Sequence, residues 1–201
     1  MRFKVGAIPP TTDFSPCAPW VPLREPTPFA MQFLALPVGI ASVVATCTLW
    51  LLFTETELQF DNLSLILLTL ALLIPIHELI HAAVHPQCGL SNESLLGVWP
   101  SRMVFYAHYS GELSRNRFIA ILLMPFLIIS LLPIFVYGIF GTAPDWLVFA
   151  SVLNAFFSCG DQLGTLLLLW QVPRSAHVRN QGWNTYWRLL KPESAEQPST
   201  N

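Results

Sequence analysis

The run from Leu63 to Ala83 is apolar almost throughout, yet its second half carries His77-Glu78-Leu79-Ile80-His81. A bilayer core takes about 20 residues of helix, and a chain in lipid must satisfy its own backbone polar groups. The stretch therefore reads as a membrane helix. On a helix, positions i and i+4 lie one turn apart on the same face, so His77 and His81 point the same way. Ionisable groups are costly in lipid and mark function there. Two imidazoles at this spacing can grip one metal ion, and Glu78 sits beside them, where a general base for a metal-activated water belongs.

The rest of the chain fits the same setting. Of 201 residues, 53% are hydrophobic and 11% charged, with mean hydropathy +0.53; soluble domains carry roughly 25% charge. We expect one membrane domain over residues 1–201, with the lipid bilayer as a partner. No basic block points to nucleic acid. The four cysteines, Cys17, Cys47, Cys88 and Cys159, form no CxxC pair, which argues against a disulfide framework or a cysteine zinc site.

Four stretches are long enough to span: residues 33–53, 63–85, 118–140 and 146–170. The expected fold class is thus an all-α polytopic membrane protein with four transmembrane helices. Residues 1–30, rich in proline and with no cleavable signal, read as an irregular lead-in, and 171–201 as a tail that becomes polar and disordered from Pro192. The connection 54–62 carries Glu55, Glu57 and Asp61 without a basic residue, whereas Arg2, Lys4, Arg24, Arg102, Arg115, Arg117, Arg174, Arg179, Arg188 and Lys191 all fall in the other connections and ends. The positive-inside rule then places both termini and the connection 86–117 in the cytoplasm. Within that connection, Ser94 to Trp99 and Met103 to Ser110 flank a turn at Trp99-Pro100-Ser101-Arg102. This is either a small β-hairpin at the membrane surface or a loop anchored by interfacial aromatics.

A catalytic zinc takes about three protein ligands and an open position. His85 lies about 12 Å of helix rise from His77, too far to share its ion. Asp161 is the better third ligand. Under the expected topology it sits about 13 Å from the cytoplasmic end of the fourth span, and the histidines about 6–12 Å from that of the second. Gly160 and Gly164 would let the fourth helix approach a neighbour closely, with Ala82 and Ala83 offering a small surface on the second span. His108 and Glu112 are the alternatives if the connection folds back. Asn154 is two turns from Asp161 on the same face, with Ser158 between; it is a candidate to contact substrate or an oxyanion. His177 reads as an ordinary tail residue.

HELIH in a membrane helix, followed two spans later by Asn154 and Asp161, resembles the site-2 protease type of intramembrane zinc metalloprotease. It is more similar still to small bacterial zincin-type peptidases. The resemblance implies a three-helix core over residues 63–170, zinc on His77, His81 and Asp161, Glu78 as base, and a membrane-associated β segment after the HExxH helix. The aspartate of site-2 proteases sits in an Asn-Pro and Leu-Asp-Gly context; here it reads Gly160-Asp161-Gln162. The expected activity is zinc-dependent hydrolysis of a membrane protein or peptide substrate, in the bacterial inner membrane. The rival readings are a metal transporter, which should carry polar residues along several spans, and a non-catalytic zinc-stabilised binding protein, which would not need Glu78. The sequence assigns no oligomeric state.

Overall fold

The computed structural model describes residues 1–55 and 62–190. The acidic residues Glu57 and Asp61 of the 54–62 connection, and the expectation of a disordered tail from Pro192, lie outside the described residues.

Helix α1 (Pro28–Phe53) starts where Thr27 accepts a hydrogen bond from the Ala30 N–H and Pro28 takes a first-turn position. Helix α2 (Leu63–Val84) starts at Asn62, whose side chain accepts from the Leu65 N–H, and it runs unbroken through Pro75. Helix α3 (Arg115–Phe140) is capped by Ser114 and contains a π-helical segment, Phe126–Leu131, directly after Pro125. These three helices are long and apolar enough to cross a membrane, and only 11% of the most apolar window of α2 is buried by protein. Apolar side chains such as Leu67, Leu68 and Leu72 are more than half exposed.

The expected fourth continuous span is not there. Its residues form α4 (Asp145–Phe157) and α5 (Cys159–Gln171), bent by 46° at Ser158, a broken span or a re-entrant pair. The all-α expectation also fails, because two sheets flank the helices. In the first, β1 (Arg2–Val5), β3 (Ser94–Trp99) and β4 (Val104–Tyr109) lie in the order β1-β3-β4. The β3–β4 hairpin is the one suggested by the sequence, and the N-terminal strand adds to it in parallel. In the second, β2 (Val21–Pro22), β5 (Leu113–Ser114), β6 (Ala176–Gln181) and β7 (Asn184–Leu189) lie in the order β2-β7-β6-β5.

Parts of the lead-in and of the tail, as far as Leu189, therefore form strands. Ala176 and Val178 are buried while His177 and Arg179 between them are half-buried, the alternation of a one-sided strand. Gly182, at φ +60°, opens a two-residue turn to β7. Leu23, Leu168, Val172, Ala176 and Val178 form the core that fixes this sheet to α5, with Phe118 of α3 packed against it.

Packing among the helices differs from the small-residue expectation. Helix α5 packs on α1 and α3. Gly160 faces open space, and Gly164 meets only Leu122. The close approach is at Gly39 of α1, where an added Cβ would lie 3.1 Å from Cys159 Cβ and from Phe156. Trp50, Ile134 and Val148 form the core between α1, α3 and α4.

Candidate metal centre

The break at Ser158 builds the centre. It places Asn154, in the last turn of α4, and Asp161, in the first turn of α5, on opposite sides of the same imidazole. His77 Nδ1 lies 2.8 Å from Asn154 Oδ1, and His77 Nε2 lies 3.1 Å from Asp161 Oδ2. His81 Nε2 is 3.1 Å from His77 Nε2 and 3.3 Å from Asp161 Oδ2. His77, His81 and Asp161 thus offer one ligand atom each to a common point. Bonds of about 2.0–2.1 Å to a tetrahedral ion would separate its ligand atoms by about 3.3 Å. The triangle has that size.

The groups behind the triangle fix its proton inventory. Asn154 Nδ2 donates to the Pro125 carbonyl at 3.1 Å, and that carbonyl accepts only. The amide is therefore oriented with Oδ1 toward His77, and Nδ1 of His77 must be the protonated nitrogen. His81 Nδ1 donates in the same way to the Ile121 carbonyl at 2.7 Å. Both Nε2 atoms then present bare lone pairs inward, against a carboxylate oxygen. Three acceptors at this separation call for a cation between them, and two imidazoles with one carboxylate form a donor set suited to zinc.

Asn154 is fully buried and its side chain is taken up: Nδ2 also reaches Ser130 Oγ at 2.9 Å and Ser158 Oγ at 3.4 Å. Ser151 Oγ donates to the Ser130 carbonyl at 2.7 Å and accepts from Trp50 Nε1 at 2.9 Å. The π-helical segment shifts the backbone pairing of α3, and Asn154 and Ser151 satisfy carbonyls at its start and within it. The chain of bonds runs from α1 through α3 and α4 to His77.

Glu78 is partly buried beside the triangle, with the Ala107 backbone N–H of β4 near its carboxylate. The base candidate therefore sits against the outer strand of the first sheet. The two alternative ligands are elsewhere. Glu112 is engaged by Arg188 at 2.7 Å, and His177 Nδ1 lies 3.0 Å from its carboxylate, so His177 is a partner of Glu112. His108 is buried on the sheet face that Arg2 shares. His85 is buried at the end of α2, with Nδ1 3.1 Å from Ser94 Oγ.

Sequence reasoning missed the Ile121 carbonyl, the Ala107 N–H and the Trp50–Ser151–Ser130 chain. The first two are backbone groups with no residue signature. Ser130, isolated in an apolar run five residues after Pro125, was a legible signal.

Searches of curated proteins and of solved structures each return no significant match. The HExxH motif, the β3–β4 hairpin and the Asn154–Asp161 break all fall within residues 70–177, which match the family described as "putative zincin peptidase"; the chain belongs to that family, whose members are named for zinc and for peptide hydrolysis.

Proposed function

We propose that this chain is a membrane-embedded zinc endopeptidase that hydrolyses peptide bonds of membrane-associated proteins, with both termini and the β3–β4 hairpin on the cytoplasmic side of a bacterial inner membrane. The observation that carries the reading is the triangle of bare ligand atoms on His77, His81 and Asp161 with Glu78 adjoining it. Bound there, zinc supplies a Lewis acid that polarises a carbonyl and acidifies water.

The chain's own residues do the rest. His77, His81 and Asp161 hold the ion. Asn154 and the Ile121 carbonyl orient the two rings. Glu78 accepts the proton of the attacking water and returns it to the leaving amine. A helical substrate hides its carbonyls in its own hydrogen bonds, so it must unwind before cleavage. β4 is an edge strand whose Ala107 N–H lies near Glu78. An extended peptide pairing along this edge would lie beside the base.

The deciding experiment measures zinc content and proteolysis of a fluorogenic casein for the protein in lipid nanodiscs. About one zinc per chain is expected in the wild type and in Glu78→Gln, and a loss in His81→Ala and Asp161→Ala. Proteolysis is expected in the wild type alone. Absence of zinc from the wild type after supplementation, or full activity in Glu78→Gln, would overturn the reading.

A further inference from the structure

The first sheet carries a second polar site on the face turned away from Tyr109 and the helices. Strand register puts Arg2 opposite Leu95, and Leu95 opposite His108. The three residues form one row across the sheet, with their side chains on the same face. The segment Pro9–Asp13 closes over this row. Thr11 anchors it, donating its N–H to Gln181 Oε1 at 2.7 Å and its hydroxyl to the Asn180 carbonyl at 3.1 Å. Between segment and sheet is a cavity of about 230 Å³, lined by Arg2, Pro10, Thr12, Asp13, His108 and Ser110 among others.

Two groups there lack partners. His108 is 6% exposed, and its Nε2 is buried without a hydrogen bond. A buried nitrogen left unpaired is costly and calls for an explanation. Burial, and then the Arg2 charge, hold the His108 imidazole down at about 4, so it is neutral near pH 7. The Arg2 guanidinium, in turn, makes no ion pair among the described residues. Asp13 is the opposing charge in the cavity, but Arg179 engages its carboxylate at 2.8 Å. An exposed guanidinium without an ion pair and a neutral imidazole, both lining one small cavity, suit a carboxylate.

We propose that this cavity binds the carboxylate of an acidic side chain in the peptide substrate, held by Arg2 and His108. This rests on the peptidase reading above and names a substrate feature for it. His108 follows Ala107 on β4, and Ala107 lies near Glu78. A peptide strand paired on that edge sends alternate side chains to the two faces of the sheet. Those on the His108 face point toward the cavity, within a residue or two of the bond that Glu78 serves.

The test uses the full chain carrying Glu78→Gln, zinc-loaded, in nanodiscs. The probes are capped, fluorescein-labelled nonapeptides of alternating valine and threonine with one glutamate moved through the positions, and a matching glutamine set. At one position the glutamate peptide is expected to bind about ten-fold tighter than its glutamine twin. Arg2→Gln should abolish that preference, Arg2→Lys retain part of it, and His108→Gln weaken it. The affinity of the glutamine peptides and the zinc content should stay unchanged in all three. A preference at no position, or one that survives Arg2→Gln, overturns the proposal. Inorganic phosphate bound in an Arg2-dependent way with no peptide preference also overturns it, showing a free-anion site. Zinc retained with no peptide bound sinks this proposal and leaves the metal centre standing; zinc lost sinks the peptidase reading with it.

Discussion

At the scale of single residues, the centre is decided by which nitrogen of each histidine is bare. His77 and His81 turn Nε2 inward because Asn154 Oδ1 and the Ile121 carbonyl accept from their Nδ1 atoms. Removing such an outer partner typically weakens metal binding 10–100-fold. Asn154→Ala is therefore expected to raise the zinc dissociation constant by about that factor, read by competition with a chromogenic chelator; an unchanged constant would remove Asn154 from the role given to it. Glu78 offers a contrast, because its substitution should leave that constant nearly unmoved. The i, i+4 histidine pair was legible in the sequence, since it follows from helical spacing; Asn154 and Asp161 stood out as polar groups in an apolar run, but the continuous helix expected to join them is broken at Ser158. The Ile121 carbonyl was not legible, because every residue carries one and only the fold selects it.

Among the elements, the joints carry the consequences. Gly39 lets α1 lie against the α4–α5 break, with Cys159 and Phe156 in the space where its Cβ would stand. Gly39→Leu is expected to lower the apparent melting temperature by several degrees, the usual result of overpacking by about 1–3 kcal/mol, and to slow zinc uptake by disturbing Asp161. A variant that melts and loads like the wild type would show that the break does not lean on α1. Glu25 straps the lead-in to β7, accepting from Thr185 N at 2.5 Å and from Thr185 Oγ1 at 3.2 Å. Burial pushes its carboxyl up to about 7, against the two Thr185 bonds. A raised folded-state value means stability that is fully present below the unfolded value, near 4.5, and lost as pH rises to about 7. Glu25→Gln should remove that pH dependence, gaining on the order of 2–3 kcal/mol relative to wild type at pH 8. Parallel melting profiles of the two proteins from pH 4.5 to 8 would refute the strap. The β3–β4 hairpin was readable from its aromatic runs and the Pro100 turn. The β6–β7 hairpin was readable in principle, from alternating Ala176 and Val178 and from Gly182.

For the whole molecule, three helices are long and apolar enough to cross a membrane, and two sheets flank them. The proposed orientation puts Cys17 and Cys88, both exposed and outside the helices, in the cytoplasm. A membrane-impermeant maleimide should label them in inverted vesicles and not in intact cells; labelling from outside would reverse the topology. By itself the sequence determined three of the four expected apolar helices, among them the one that carries His77, Glu78 and His81, because hydropathy and i, i+4 spacing are local properties of the chain. It also marked Asp161 and Asn154 as polar groups that need partners. Only the tertiary structure decided that residues 146–170 break at Ser158, so that both groups meet one imidazole. Tertiary structure likewise decided that β1 pairs with β3 and β2 with β7, drawing the lead-in and the tail into sheets. Short strands of two to six residues have little preference of their own. Their partners lie far along the chain, and their register is set by burial against helices that must already be in place.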